Sequence, residues 1–311
     1  MRLTRLVGWL VVAAVVYFFS VTIARNWERV REIDFSVSIE SILAVLLFAL
    51  AVVVSGWLWG RVFSTIAHKP VSVLESVRCH LASWVLKYIP GQIGGLIYKI
   101  HWSQQQGATK STGAIAYAYE LLFFTLASTL LVIPILIVVT AGAYAGPMVL
   151  GYFGLVLAVL LVSQKAPHRL ARLAIKRLTK TEPESIEILG IGRILAFSAW
   201  FMLPRLINAV GFVILASVML PVTVDMYLLL GASYVLAGII GVYALFVPSG
   251  IGVREGVIVA FASLVFTIEQ AVVLSLVARL YATVADGVIG IAYVCLTRWK
   301  NRQPETGTES L

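Results

Sequence analysis

Apolar runs long enough to cross a bilayer recur along the whole chain, and they constrain the fold more than any single motif. A helix needs roughly 20 apolar residues to span the hydrocarbon core. Candidate spans are 6–24, 42–63, 113–139, 147–162, 191–220, 226–247, 251–266 and 271–296. The seventh is short and follows a proline, and the fifth contains Pro204, which predicts a kink. The chain is 60% hydrophobic, with 13% charged residues and a mean hydropathy of +0.95. Soluble domains are roughly 45–50% apolar and about 25% charged, so the excess apolar surface must face lipid. The fold class is therefore an all-α membrane protein, a polytopic bundle of about eight transmembrane helices.

The net charge of +9 lies mostly in loops between these runs. That is the positive-inside bias of cytoplasmic loops and not a nucleic-acid footprint. Lys165, Arg169, Arg172, Lys176, Arg177 and Lys180 place the loop 165–180 on the cytoplasmic side. Arg2 and Arg5 put the N-terminus there, and Arg298, Lys300 and Arg302 do the same for the C-terminus. The turns 141–146 and 221–225 carry no Lys or Arg, as expected of the far side, although Arg25, Arg29 and Arg31 sit in the first outer loop among Glu28, Glu32, Asp34 and Glu40. An inner-membrane protein with both termini cytoplasmic follows. The run 6–24 is long enough to be an uncleaved first helix rather than a signal peptide. The tail 297–311 is polar and expected to be disordered, and residues 1–296 form one transmembrane domain.

Residues 71–106 do not read as a span. The segment is moderately apolar but holds Glu75, Arg78, Lys87 and Lys99, and it must begin and end on one side. A re-entrant pair of half-helices fits, and such backbone is tolerated only beside protein or a wet cavity. Its break reads Lys87-Tyr88-Ile89-Pro90-Gly91-Gln92-Ile93-Gly94-Gly95. A second break, within 246–256, reads Pro248-Ser249-Gly250-Ile251-Gly252-Val253-Arg254-Glu255-Gly256. Both contain Pro-x-x-Ile-Gly. Proline removes a backbone donor, and glycine permits non-helical angles. Paired interruptions in two halves point to a transport site and are compatible with an inverted repeat. A half-helix N-terminus also offers N–H groups to an anion. The plainer alternative is a pair of kinks between tightly packed helices.

Charges at membrane depth are costly and face the protein interior. The candidates are Glu120, Arg205, Arg254, Glu255, Arg279 and Asp286. Three are basic and three acidic, so mutual pairing alone would account for them. Arg205 and Asn208 lie side by side at helical spacing. Arg279 and Asp286 share a helix face two turns apart, so each needs another partner. Glu120 shares a face with Tyr117 and Phe124. Arginine stays charged and grips phosphate bidentately, so the set also suits a polar groove for a head group.

Cys79 and Cys295 form no metal-ligand or disulfide pattern, and His68, His80, His101 and His168 are scattered as interfacial or loop residues. Neither a catalytic constellation, a metal site nor a cofactor site is expected. Gly250, Gly252 and Gly256 have the wrong spacing for a dinucleotide loop.

The stretch Lys87–Gly91, the stretch from Pro248 to Glu255, and Arg279-Leu280 followed by Asp286-Gly287 resemble the lysylphosphatidylglycerol synthase transmembrane region, also called flippase-like or dolichol-phosphate-glucose synthetase-like. The resemblance runs from about Ser41 to Leu296. Ser249 replaces the usual glycine after Pro248 and leaves the break intact. The resemblance implies a bundle with re-entrant helices that moves lipids or lipid-linked sugars between leaflets. Fused members carry a soluble aminoacyl-transferase domain. This chain stops at Leu311, so lysyl transfer is not expected.

The leading expectation is a flippase for a phosphate-bearing or polyprenyl-linked lipid. Lys87, Arg205, Arg254 and Arg279 would hold the head group, with Asn208 beside them. Glu120, Glu255 and Asp286 would orient the cations. Pro90, Gly91, Gly94, Gly95, Pro248, Gly250 and Gly252 would shape the two breaks. Two alternatives stand beside it. One is a non-transporting assembly factor for a glycosyltransferase or lipid synthase, using the loop 165–180. The other is a membrane-embedded glycolipid transferase using Glu120, Glu255 or Asp286. A homo-oligomer is compatible with all three.

Overall fold

The computed structural model describes residues 38–88, 93–162, 168–169, 172–173, 176, 188–244, 247 and 250–302. Among these residues it is built from α-helices and short 3-10 turns: α1 (Ile39–Ala67), α2 (Val73–Val85), α3 (Ile93–Gln105), α4 (Lys110–Ala141), α5 (Ala145–Val162), α6 (Ile191–Met219), α7 (Tyr227–Tyr243), α8 (Val253–Ala262) and α9 (Ile268–Arg302). Side-chain caps start several of them. Ser38, Ser72 and Thr109 each accept a hydrogen bond from the amide three residues on, satisfying a donor that a helix start otherwise leaves open.

Five helices, α1, α4, α6, α7 with its preceding 3-10 turn, and α9, are long and apolar enough to cross a membrane, and α5 is a shorter apolar helix. Much of the surface is apolar. Leu43, Leu46 and Leu50 on α1, and Leu280, Val284, Val288 and Ile291 on α9, are exposed in stripes at helical spacing. Stripes of this kind are lipid-facing, since a water-facing surface rarely carries apolar patches that long. The protein is a polytopic helical membrane protein.

The run 251–266 does not form a full crossing. Helix α8 has 10 residues, roughly 15 Å, about half the hydrocarbon thickness. Pro204 lies inside the unbroken helix α6. Helix α9 begins at Ile268 and continues to Arg302, so the tail expected from residue 297 starts as helix. The expected first span, 6–24, and most of the loop 165–180 lie outside the described residues.

Contacts at the helix ends fix which turns share an end of the bundle. Lys300 of α9 pairs with Glu75 of α2 at 2.7 Å, and Lys69 donates to the Gly107 carbonyl at 2.9 Å. Residues 68–75, 107–110 and the end of α9 therefore lie together. At the other end Ala44, Leu220, Val222, Met226, Val265, Phe266 and Ala271 form one apolar cluster. Helices α2 and α3 thus make a hairpin that enters and leaves at the first end. Helices α7 and α8 make one that enters and leaves at the second.

Small residues let these hairpins pack closely. Gly56 and Gly60 sit one turn apart on α1, facing α2. A Cβ on Gly56 would meet His80 Cβ and Val77 Cα at 3.0 Å, and one on Gly60 would collide with Ser76. This is the small-xxx-small device of membrane helices, where dispersion and not water exclusion holds helices together.

Candidate functional site

A cavity of about 200 Å³ lies between the tips of the two hairpins, walled by α1, α2, α3, α4, α6, α7, α8 and α9. Helical spacing brings its polar residues to one face of each element. From α2 and the 3-10 turn after it come His80, Trp84 and Lys87, from α4 Tyr117 and Glu120, from α6 Arg205 and Asn208, and from α9 Arg279 and Asp286. Five cations and three carboxylates line it, a surplus of two positive charges with His80 neutral.

Three ion pairs use three of those cations. Lys99 of α3 is 1% exposed. Its ammonium lies 2.5 Å from Glu120 Oε2, 3.1 Å from His80 Nδ1 and 4.1 Å from the centre of the Trp59 ring. His80 Nδ1 is also 3.2 Å from Glu120 Oε1. A charge this deep is tolerable because it is both paired and hydrogen-bonded. The second pair is Lys87 with Asp286. Lys87 Nζ donates to Asp286 Oδ1 at 2.8 Å and the indole of Trp84 donates to the same oxygen at 2.7 Å. The third is Arg279 Nε with Glu255 Oε1, at 3.7 Å.

Arg205 and Arg254 have no carboxylate at ion-pair distance among the described residues. Arg205 Nη2 donates to Ser55 Oγ at 3.3 Å, and its guanidinium lies 4.4 Å from the centre of the Phe124 ring, a cation–π contact. The stem of Arg254 crosses Gly241 of α7, where any Cβ would collide with it. The Nε atoms of both arginines are buried without a hydrogen-bond partner among the described residues. Such donors are rare in folded proteins and call for an explanation.

The second break places Arg254. Gly250 has φ +65°, and a Cβ there would lie 2.7 Å from Gly241 Cα, so geometry and space both require glycine. Gly252, at φ 84°, is the cap residue of α8. Glu255 folds back so that its Oε2 accepts the Gly252 amide hydrogen at 2.5 Å. This corrects one expectation: the start of α8 does not offer that amide to an anion, because the chain's own carboxylate occupies it.

Of the residues singled out in the sequence, Lys87, Gly95, Glu120, Arg205, Asn208, Arg254, Glu255, Arg279 and Asp286 line this one cavity. Gly250 and Gly252 shape the second break beside it, and Gly94 is buried in α3 and does not line the cavity. Pro90, Gly91 and Pro248 lie outside the described residues. Sequence reasoning missed His80, Lys99, Trp84 and Ser55. Lys87 and Arg279, expected to hold a head group, are each engaged by a carboxylate. Among the described residues no cluster of three His, Cys, Asp or Glu side chains suits a metal ion.

A second cavity, of about 930 Å³, lies between α4, α6 and α7. Leu131, Ile135, Leu206, Val210, Val213 and Gly231 give it apolar walls. Ala209 and Ala232, which line it, lie close along the chain to Asn208 and Val235 of the charged cavity.

A helical bundle with two opposed hairpins closing on a charged cavity defines a class of multi-pass membrane protein with an internal polar site. The family model for the lysylphosphatidylglycerol synthase TM region matches residues 5–290, and the chain belongs to that family. The match reaches further toward the N-terminus than the motifs alone did. It places the protein among membrane proteins of lipid metabolism. No curated protein sequence matches the chain.

Proposed function

We propose that this protein is a lipid flippase that carries a phosphate-bearing lipid between leaflets, with the head group in the charged cavity. The observation that carries the reading is the pair Arg205 and Arg254, two guanidinium groups whose buried Nε donors have no partner among the described residues and which face a cavity of surplus positive charge. Guanidinium forks match phosphate oxygens. The hydrocarbon tails run through the adjoining apolar cavity, where Val210 and Leu206 face outward. In this reading the two hairpins reach the cavity from opposite leaflets, the first by the short helices α2 and α3 and the second by the long α7 returning through the half-length α8. Alternating access comes from rocking the hairpin tips against α9, which holds both by ion pairs. Cargo must bind the two access states with different energies for the motion to follow it.

Charge supports an orientation. The end of the bundle shared by α2 and the end of α9 carries Lys69, Arg78, Lys110, Arg298 and Lys300 against Glu75, and the opposite end carries Glu40, Asp225 and Glu269. The basic end faces the cytoplasm by the positive-inside rule, in the inner membrane.

The test is reconstitution into phosphatidylcholine vesicles with a trace of tail-labelled anionic lipid, followed by quenching of label in the outer leaflet. Wild type should expose inner-leaflet label at least about tenfold faster than Arg254→Gln, the factor expected when about 1.4 kcal/mol of transition-state contact is lost. Val210→Trp, at an exposed position of the apolar cavity, should slow movement without removing head-group binding. Equal rates in protein-containing and empty vesicles would sink the reading and return attention to an assembly role.

A further inference from the structure

We infer that the charged cavity selects a phosphate monoester, a head carrying two negative charges, over a phosphodiester carrying one. The inference rests on the cavity being a head-group site and names which head it takes. The charged groups facing it are Lys87, Lys99, Arg205, Arg254 and Arg279 against Glu120, Glu255 and Asp286, with His80 beside Lys99 and Glu120. The three carboxylates are each committed to a cation: Glu120 to Lys99, Asp286 to Lys87, Glu255 to Arg279. Among the described residues two positive charges remain, on Arg205 and Arg254. Both arginines are partly buried and bury their Nε atoms, and a cation drawn out of water without an anion is costly. A phosphodiester offers one negative charge and leaves one arginine uncompensated. A monoester offers close to two above its second ionisation, which lies near pH 6, and it presents three terminal oxygens.

Donor geometry points the same way. Arg205 approaches from α6 and Arg254 from α8, on different walls of the cavity. Two planar forks from two walls suit three terminal oxygens better than the two free oxygens of a diester. Asn208 stands one turn from Arg205 on the same face and supplies an amide donor for a remaining oxygen. Size agrees. The cavity of about 200 Å³ falls below the roughly 300–1,000 Å³ typical of sites for drug-sized ligands. A bare phosphate fits there, and a phosphate bearing several sugars does not.

The test uses the full chain in detergent. Phosphatidic acid and phosphatidylglycerol with identical acyl chains are supplied together, and the bound lipids are counted by native mass spectrometry. Above pH ~7, where the monoester is doubly ionised, wild type should favour phosphatidic acid by about tenfold. Arg254→Gln should bring the ratio near one, and Arg254→Lys, which keeps the charge, should retain most of it. A second arm needs no variant: below pH ~5, where the monoester keeps one charge, the preference of wild type should collapse, and phosphatidylglycerol binding should hold. Equal enrichment of both lipids over bulk, lost in Arg254→Gln, overturns the monoester inference and leaves the head-group site standing. Enrichment of neither overturns both. A preference that does not change with pH overturns the charge argument whatever the variants do. Excess inorganic phosphate should fail to strip bound phosphatidic acid. If it does so as fully as unlabelled phosphatidic acid, the site serves free phosphate and not a lipid.

Discussion

The α2–α3 hairpin brings two lysines to the cavity, and both are engaged: Lys87 with Asp286 and Trp84, Lys99 with Glu120 and His80. The α7–α8 hairpin brings Arg254, whose Nε has no partner among the described residues, next to Glu255, which is committed to Gly252 and Arg279. The two hairpins share a Pro-x-x-Ile-Gly break and meet at one cavity, yet their charges serve different ends. In the first, charge stitches helices together. In the second, a cation is held in place by backbone shape, and its Nε finds no partner among the described residues. An intramembrane charge is thus not in itself a sign of function. What separates the two cases is whether the described residues supply the counter-ion.

That contrast is open to attack by substitution. The largest effect is expected from Glu120→Ala, which strands Lys99 where it is 1% exposed. Breaking a buried pair costs about 3–5 kcal/mol, to be read as a loss of unfolding stability in a fixed detergent. Replacing both partners, Lys99→Met with Glu120→Leu, should recover most of that loss. Next comes Gly250→Ala. At φ +65° and hard against Gly241, it should cost more than about 1 kcal/mol and displace Arg254, so that lipid binding falls with stability. Arg254→Gln should stay within about 1 kcal/mol of wild type or exceed it in stability, because it removes a partly buried cation that has no counter-ion among the described residues, while lipid movement is lost. A destabilisation comparable to that of Glu120→Ala would show Arg254 to be structural and erase the distinction between the hairpins. The smallest effect belongs to Lys300→Ala. Lys300 is about half exposed in its pair with Glu75, so the loss should be under about 1 kcal/mol and vanish in high salt.

How much of this was legible in the sequence follows from the range of each interaction. Proline and glycine act on their own backbone, so both breaks could be read directly. Arg205 and Asn208 lie within one turn, and local spacing placed them together. Lys87 and Asp286 are 199 positions apart, and no local pattern connects them. The three-residue site Lys99–Glu120–His80 was invisible for the same reason, and His80 looked like an interfacial residue. One missed signal was local. Thr267 and Gln270 form a reciprocal cap, each side chain accepting from the other's amide at 3.3 and 3.1 Å. Read as a Thr-x-x-Gln box, it would have started α9 at Ile268 and argued against a full span over 251–266.

Helix α9 grips α8 through Arg279 and the tip of α2 through Asp286, seven residues and roughly 10 Å apart on one face of a rigid rod. The two hairpin tips are therefore not separate hinges. Any displacement of that rod is felt at both tips in the same event, as in an interlock, where one bolt serves two doors. Each hairpin tip then registers the position of the other without a chain of intermediate contacts.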